Sequence, residues 1–331
     1  MATAAQKQAS AARREKNRAH GRARGYPRVR ARPIHPGRSS KITRRCIGRL
    51  LLLAPRTKAQ AKELVNFIGY CLAYAAAKYK IQVHASLWMS NHHHTDVSDP
   101  DGNLVEFKQL SHSLIARGRN AQLGRHDSVW SGDEPSDTRE PTDDESLGAL
   151  VYTLTNPVEA GLVKWARLWP GFTTNGWRFG ETRTFKRPDK LFDKNGEMPE
   201  QVSLTLVRPP IFAELDDEAL YRKLMGEVRR REREIQQQFR RENRRFMGPT
   251  KLARQHWNRA PRSFEERFEV TPHVARSSKW LVLAELQRDR EWEREYAAAR
   301  ERWLAGKPAV FPAGTYWLRR FAGVDVAARA P

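Results

Sequence analysis

Ile81-Gln82-Val83-His84-Ala85-Ser86-Leu87-Trp88-Met89-Ser90-Asn91-His92-His93-His94-Thr95-Asp96-Val97 is the stretch that decides the fold. Ile81, Val83, Ala85 and Leu87 recur at every second position, the period of a strand with one buried face. Ser90 and Asn91 break that pattern, and His92 to Val97 resumes it. The spacing predicts two adjacent strands, antiparallel across a short turn. In the second strand, alternation sends His92, His94 and Asp96 to one face and His93, Thr95 and Val97 to the other.

Working outward, residues 41–53 are compatible with a first strand that ends in the apolar run Leu50 to Leu53. Thr57 then offers an N-cap, and Leu64, Val65, Ile68, Leu72 and Ala75 recur at helical spacing up to Tyr79. After the turn at Pro100, Asp101 and Gly102, a second amphipathic helix runs through Leu104, Phe107, Leu110, Leu114 and Ile115 to about Gly124, with Lys108, Arg117 and Arg119 on its outer side. Residues 131–145 hold seven acidic residues and two prolines and are expected to be a loop, with a short strand near Val129 before them. A third, short helix is expected from Asp143 or Asp144 through Leu147, Leu150, Val151 and Leu154, with Pro157 near its end. The order is that of an α+β sandwich, with helices on one face of a mainly antiparallel sheet of the split βαβ kind.

Sixty Lys and Arg against 38 Asp and Glu give the chain a net charge of +22 over 331 residues. So lopsided a balance calls for a polyanionic partner, and nucleic acid leads that class. With 39% apolar and 30% charged residues, a modest core with polar extensions is expected. Residues 1–38, with eleven Lys and Arg against one Glu, are expected to form a disordered basic tail: a solvated charge run or an arm that touches phosphates. Residues 39–176 form the catalytic candidate. Residues 177–331 form a basic, mainly helical extension, in which residues 228–245 carry eight Arg against three Glu. Trp257, Trp280, Trp292 and Trp303 of that extension suit either core positions or a surface that embraces a DNA hairpin. Cys46 and Cys71 show no CxxC spacing, which excludes a disulfide scaffold and a cysteine zinc finger. The run Leu50 to Ala54 is far short of the roughly 20 residues of a membrane span. A reducing, cytoplasmic and nucleoid-associated setting is expected, with no membrane partner.

Two groups of residues can carry chemistry. His92 and His94 on one strand face make half of a site for a divalent transition metal, to be completed by an oxygen ligand from elsewhere; a surface histidine run with no ion is the plain alternative. Tyr152 and Asn156, four apart, emerge from one face of a helix. They pair a phenol with an amide oxygen, or else they are a core tyrosine and a capping residue before Pro157. Asp96 either reinforces the metal or positions a water, or it is a solvated strand end.

Trp88-Met89-Ser90-Asn91-His92-His93-His94, the following helix with His112 and Ala116-Arg117, Val129-Trp130, and Tyr152 with Asn156-Pro157-Val158-Glu159-Ala160-Gly161-Leu162-Val163 together resemble the REP-associated tyrosine transposases, single-tyrosine members of the HUH endonuclease superfamily. The resemblance covers roughly residues 40–172. It implies a ferredoxin-like sheet with the histidine pair on a central strand. It also implies an enzyme that acts on single-stranded or hairpin DNA with a divalent ion, Mg2+ or Mn2+. By the same resemblance Tyr152 matches the nucleophile, and His92, His94 and Asn156 match the metal ligands. The chain departs from the family pattern at His93, usually apolar, at Thr95 and Asp96, usually aliphatic, and at Pro36-Gly37, which lacks the Tyr-His pair that usually follows. Arg44, Arg45, Arg117, Arg119 and Arg125 are candidates for DNA phosphate contacts, with plain solvation as the alternative for each. A second copy of the chain is a further candidate partner, as a homodimer. A DNA-binding protein without turnover and a water-using metal phosphodiesterase are the competing functions.

Overall fold

The computed structural model describes residues 33–34, 38–55, 57–132, 135–140, 142–189, 191–193, 195–261, 274–275 and 279–328. The expected basic tail and Pro36-Gly37 therefore lie almost wholly outside the described residues.

The first half is built as β1 (Ser39–Arg45), α1 (Lys58–Tyr79), β2 (Gln82–Trp88), β3 (His92–Ser98), α2 (Leu104–Leu123), β4 (Ser136–Arg139) and α3 (Asp143–Glu159). The sheet order is β2-β3-β1-β4, and every neighbouring pair is antiparallel. This is the α+β, ferredoxin-like arrangement, and it puts the histidine strand β3 in the interior of the sheet. α1 begins where Thr57 Oγ1 accepts the Gln60 backbone N–H at 3.1 Å. It buries Leu64, Phe67, Ile68, Cys71 and Leu72. α1 and α2 pack closely, because a Cβ on Gly118 of α2 would fall 2.4 Å from the Phe67 ring. α2 stops at Gly124, whose φ of 64° is cheap only without a side chain. These two helices share one face of the sheet. α3 lies against the other face, which puts Tyr152 beside β3. It starts at Thr142, which accepts the Glu145 N–H at 3.2 Å.

The first strand is shorter than the sequence suggests. It ends at Arg45, because Gly48 and Arg49 take left-handed φ values of 57° and 59° and turn the chain. Leu51 to Ala54 are buried in a loop rather than a strand. Conversely, the acidic stretch expected to be a loop contains β4, and the strand expected near Val129 is a single bridge between Cys46 and Trp130. β4 is a polar edge strand (Ser-Asp-Thr-Arg), so no apolar alternation announces it.

The core also crosses the expected boundary at residue 176. The hairpin of β5 (Thr182–Lys186) and β6 (Gln201–Thr205) packs on α1, with Phe185 filling the space that a Cβ on Gly69 would need. Asn66 on α1 exchanges two hydrogen bonds with the Lys186 backbone. α4 (Asp217–Arg241) adds Leu220, Leu224 and Val228 to the same core and sets Ile235 and Phe239 against Val158 and Val163. The compact unit accordingly runs from His35 to Ala284 and includes the short α5 (Pro249–Ala253). A second unit holds residues from Glu285 onward: most of α6 (Lys279–Leu304), then β7 (Val310–Phe311), α7 (Trp317–Ala322) and β8 (Asp325–Val326). Its small core is Ala299, Phe311 and Leu318, and Trp292 Nε1 donates to the Ala313 carbonyl at 2.7 Å. Trp292 is thus buried, while Trp280 is exposed.

Candidate metal and nucleophile site

The β1–β3 register builds the site in rungs. On the face toward α3, Lys41 lies opposite Asp96, Thr43 opposite His94, and Arg45 opposite His92. His94 is buried, and its Nδ1 is hydrogen-bonded to Thr43 Oγ1 at 2.9 Å. Its Nε2 is buried without a hydrogen-bond partner. Burial, with help from His92 and Lys41, holds the His94 imidazole well below its usual pKa. The ring is therefore neutral near pH 7, with a lone pair to give. His92 Nδ1 lies 2.8 Å from Asn91 Oδ1, while Asn91 Nδ2 donates to the Arg49 carbonyl. An amide oxygen only accepts, so His92 Nδ1 carries the proton, and Nε2 holds the lone pair of the neutral ring. The two imidazole rings are 5.0 Å apart at 81°.

Tyr152 comes from α3 onto this pair. Its ring meets His94 edge to face at 5.2 Å, and it is 38% exposed, so a large substrate can reach it. Asn156 stands one turn further along the same helical face. It is 7% exposed. Two imidazoles held by hydrogen bonds, one of them with an orphaned buried nitrogen, and an amide are donor types that fit a divalent ion of the manganese type. Among the described residues no group of three His, Cys, Asp or Glu that could hold a metal ion gathers at a point.

Asp96 is fully buried and is no solvated strand end. Burial pushes its carboxyl up to about 6, against the pull of Lys41, Thr153 and Glu140. Burial also raises Glu140 well above the usual carboxylate range, and the neighbouring charge of Asp96 adds to that. The sequence hid Glu140 in an acidic loop and Lys41 and Thr43 in an ordinary strand. Only the period of two that links Lys41, Thr43 and Arg45 hinted that they share a face.

The other face of β3 is closed. Arg44 Nη1 donates to His112 Nδ1 at 2.9 Å, which leaves the neutral His112 ring to donate from Nε2 to His93 Nε2 at 2.8 Å. His93 Nδ1 then donates to Thr95 Oγ1 at 3.1 Å, and Thr95 meets Ser86 Oγ, which also accepts from Trp88 Nε1. Trp88 stacks on His93 at 4.1 Å. A polar residue at the usually apolar position is thus accommodated inside the molecule, not at an exposed edge.

The five arginines part company. Arg45 is exposed across from His92, and Arg117 is exposed on α2. Arg44 is engaged with His112 and lies over the Trp130 ring at 5.4 Å. Arg125 lies over Trp257 at 5.2 Å. Arg119 is a correction. It is buried, and its guanidinium donates to the carbonyls of Leu52 and Ala54 and to Gln122. It holds the apolar loop in place of a ladder and is not on the outer side of its helix. Cys46 and Cys71 are buried free thiols, both pushed up by burial.

Among the described residues, no helix is long and apolar enough to cross a membrane. No protein-family model matches the sequence, and no curated protein matches it. Among solved structures, the chain is similar to a REP-associated tyrosine transposase bound to a REP hairpin, with 16% identity, a TM-score of 0.32, and coverage of 45% of this chain and 81% of that one.

Proposed function

We propose that this chain cuts and rejoins single-stranded DNA, as a flank of a hairpin, through a covalent link to Tyr152, with a divalent ion, Mg2+ or Mn2+, held by His92, His94 and Asn156. The observation that carries this reading is the packing of the Tyr152 ring against His94, whose buried Nε2 has no partner. A phenol brought from a distant helix onto an orphaned imidazole serves no evident packing purpose, whereas nucleophilic chemistry needs that juxtaposition.

When bound, the ion supplies Lewis acidity and a template for a non-bridging phosphate oxygen. Tyr152 Oη attacks phosphorus, forming the Oη–P bond as the bond from phosphorus to the 3′ oxygen breaks. The phenol gives up its proton, the departing oxygen takes one, and the products are a 5′-phosphotyrosine and a free 3′-hydroxyl. One phosphoester replaces another, so an incoming 3′-hydroxyl reverses the step and joins DNA without ATP. Thr43 and Asn91 fix the two imidazoles, so the donor atoms are oriented before substrate arrives. Exposed Arg45 and Arg117 supply charge for the DNA backbone.

The test is incubation with Mn2+ and a labelled hairpin oligonucleotide carrying single-stranded flanks. A protein–DNA adduct that survives denaturation is expected, and Tyr152→Phe should reduce it by at least about a thousandfold. Cleaved DNA without an adduct would assign the reaction to water, and binding without cleavage would leave a DNA-binding protein.

A further inference from the structure

We propose that Lys41 is a second phosphate-binding cation of this site, gripping the phosphodiester that Tyr152 attacks. This rests on the reading above and goes beyond it, since neither the motif nor the resemblance includes Lys41. Lys41 Nζ stands 4.7 Å from the centre of the Tyr152 ring, and His94 stands 5.2 Å from the same ring. An ammonium and an imidazole thus flank one phenol. The register explains how: Lys41 and Thr43 are successive residues on one face of β1, so Lys41 sits one rung, roughly 7 Å, from the rung of Thr43 and His94.

The carboxyl groups of Asp96 and Glu140 are near enough to feel the field of Lys41, yet among the described residues Lys41 forms no ion pair. A half-buried lysine that lies over an aromatic face, with no ion pair at close range among the described residues, is a cation that can meet an anion. Lys41 is also the one basic residue lining an open cavity of about 280 Å³ that reaches under Glu145 and Gly148 at the start of α3. The other charged residues of that lining are Glu140, Asp144 and Glu145, so Lys41, which also lies over the Tyr152 ring, is the only residue of the lining that offers an anion favourable charge.

The test uses the full chain, Mn2+ and the hairpin oligonucleotide, with the cleaved position mapped from the wild-type adduct. Lys41→Met should slow adduct formation by about thirtyfold or more, and Lys41→Arg should recover to within about fivefold of wild type. A structural role would give similar losses, so a second measurement separates the two. In a Tyr152→Phe background, replacing the scissile phosphate by a neutral methylphosphonate should weaken DNA binding about tenfold. With Lys41→Met added, the same replacement should weaken it less than about threefold. An equal loss in both backgrounds overturns the assignment. Lys41→Gln enters the same cycle if Lys41→Met melts early. Absence of any adduct from wild type, by contrast, defeats the nuclease reading itself and the role of Lys41 with it.

Discussion

Three consecutive histidines divide between the two faces of β3, and the two faces treat them in opposite ways. On the back face, His93 enters a hydrogen-bond chain in which Arg44, His112, Thr95, Ser86 and Trp88 each have a defined role. On the front face, His94 keeps a buried nitrogen with no partner, and Lys41 has no ion pair among the described residues. Leaving buried polar groups unsatisfied costs about 1–3 kcal/mol each. A fold that gives both ring nitrogens of His93 a partner on one face and leaves His94 Nε2 without one on the other marks the second face as the one that awaits a ligand.

The sharpest way to break this comparison is to remove one imidazole from each face. His94→Ala should lower adduct formation by about a thousandfold or more while leaving the melting temperature nearly unchanged. His93→Leu should do the reverse. It strands His112 Nε2 and should cost about 1–3 kcal/mol of stability, while each folded molecule still forms the adduct within about tenfold of wild type. His93→Leu combined with His112→Leu should cost less than the sum of the single changes, because both partners of the bond then leave together. Thermal melts and single-turnover adduct assays check these outcomes. A loss of chemistry without loss of stability in His93→Leu would mean that the back face is not merely structural.

Acid should sharpen the contrast further. Burial holds His93, His94 and His112 well below the usual histidine range and His84 at about 4. The unfolded chain takes up protons below about pH 6.5 that the folded chain refuses, so stability falls as pH drops, by about 1.4 kcal/mol per unit for each such group. Asp96 acts with the opposite sign. Its folded carboxyl is raised to about 6, so its contribution to stability is present at low pH and is lost as pH rises through 6. The histidines outnumber the raised carboxyls, and the melting temperature should be lower at pH 5 than at pH 7. The His93→Leu, His112→Leu pair should flatten that slope by up to two protons, and Asp96→Asn should steepen it. An unchanged slope in the pair would show that these imidazoles titrate normally.

How much of this was legible beforehand follows from where each residue's information lies. The two faces of β3 followed from alternation alone, because a strand interior to a sheet obeys a period of two on both sides. Tyr152 and Asn156 were legible as a helical pair, the α1 start followed from Thr57 as a cap, and the α3 start was placed at Asp143 or Asp144, although the Thr142 cap that fixes it went unread. The β4 strand was not legible. An edge strand needs only the backbone of its neighbour, and Ser136 to Arg139 carry no apolar signature. Leu51 to Ala54 misled in the other direction. Their burial depends on the Arg119 guanidinium, which takes up their carbonyls from a helix far along the chain. Local pattern could not report that. Lys41 and Glu140 were invisible for the same reason, since each gains meaning only from what the register and α3 place beside it.

Arg119 and Arg117, two residues apart on α2, give the finest form of the comparison. Both look like outward cations in sequence. Arg119 is buried under the loop it holds, whereas Arg117 faces solvent. Removing a surface cation that meets a DNA phosphate weakens binding by a few-fold at most and lowers the salt dependence by about one ion. Arg117→Ala should show that small change in the slope of binding against salt, measured by titration of the hairpin at several ionic strengths. Arg119→Ala should leave the slope of the folded protein untouched and appear instead as a lower melting temperature, because the Leu52 and Ala54 carbonyls lose their donor. If the slope followed Arg119 rather than Arg117, the loop above α2 would have to open on binding DNA, and the division between an open front and a closed back would hold only for the free protein.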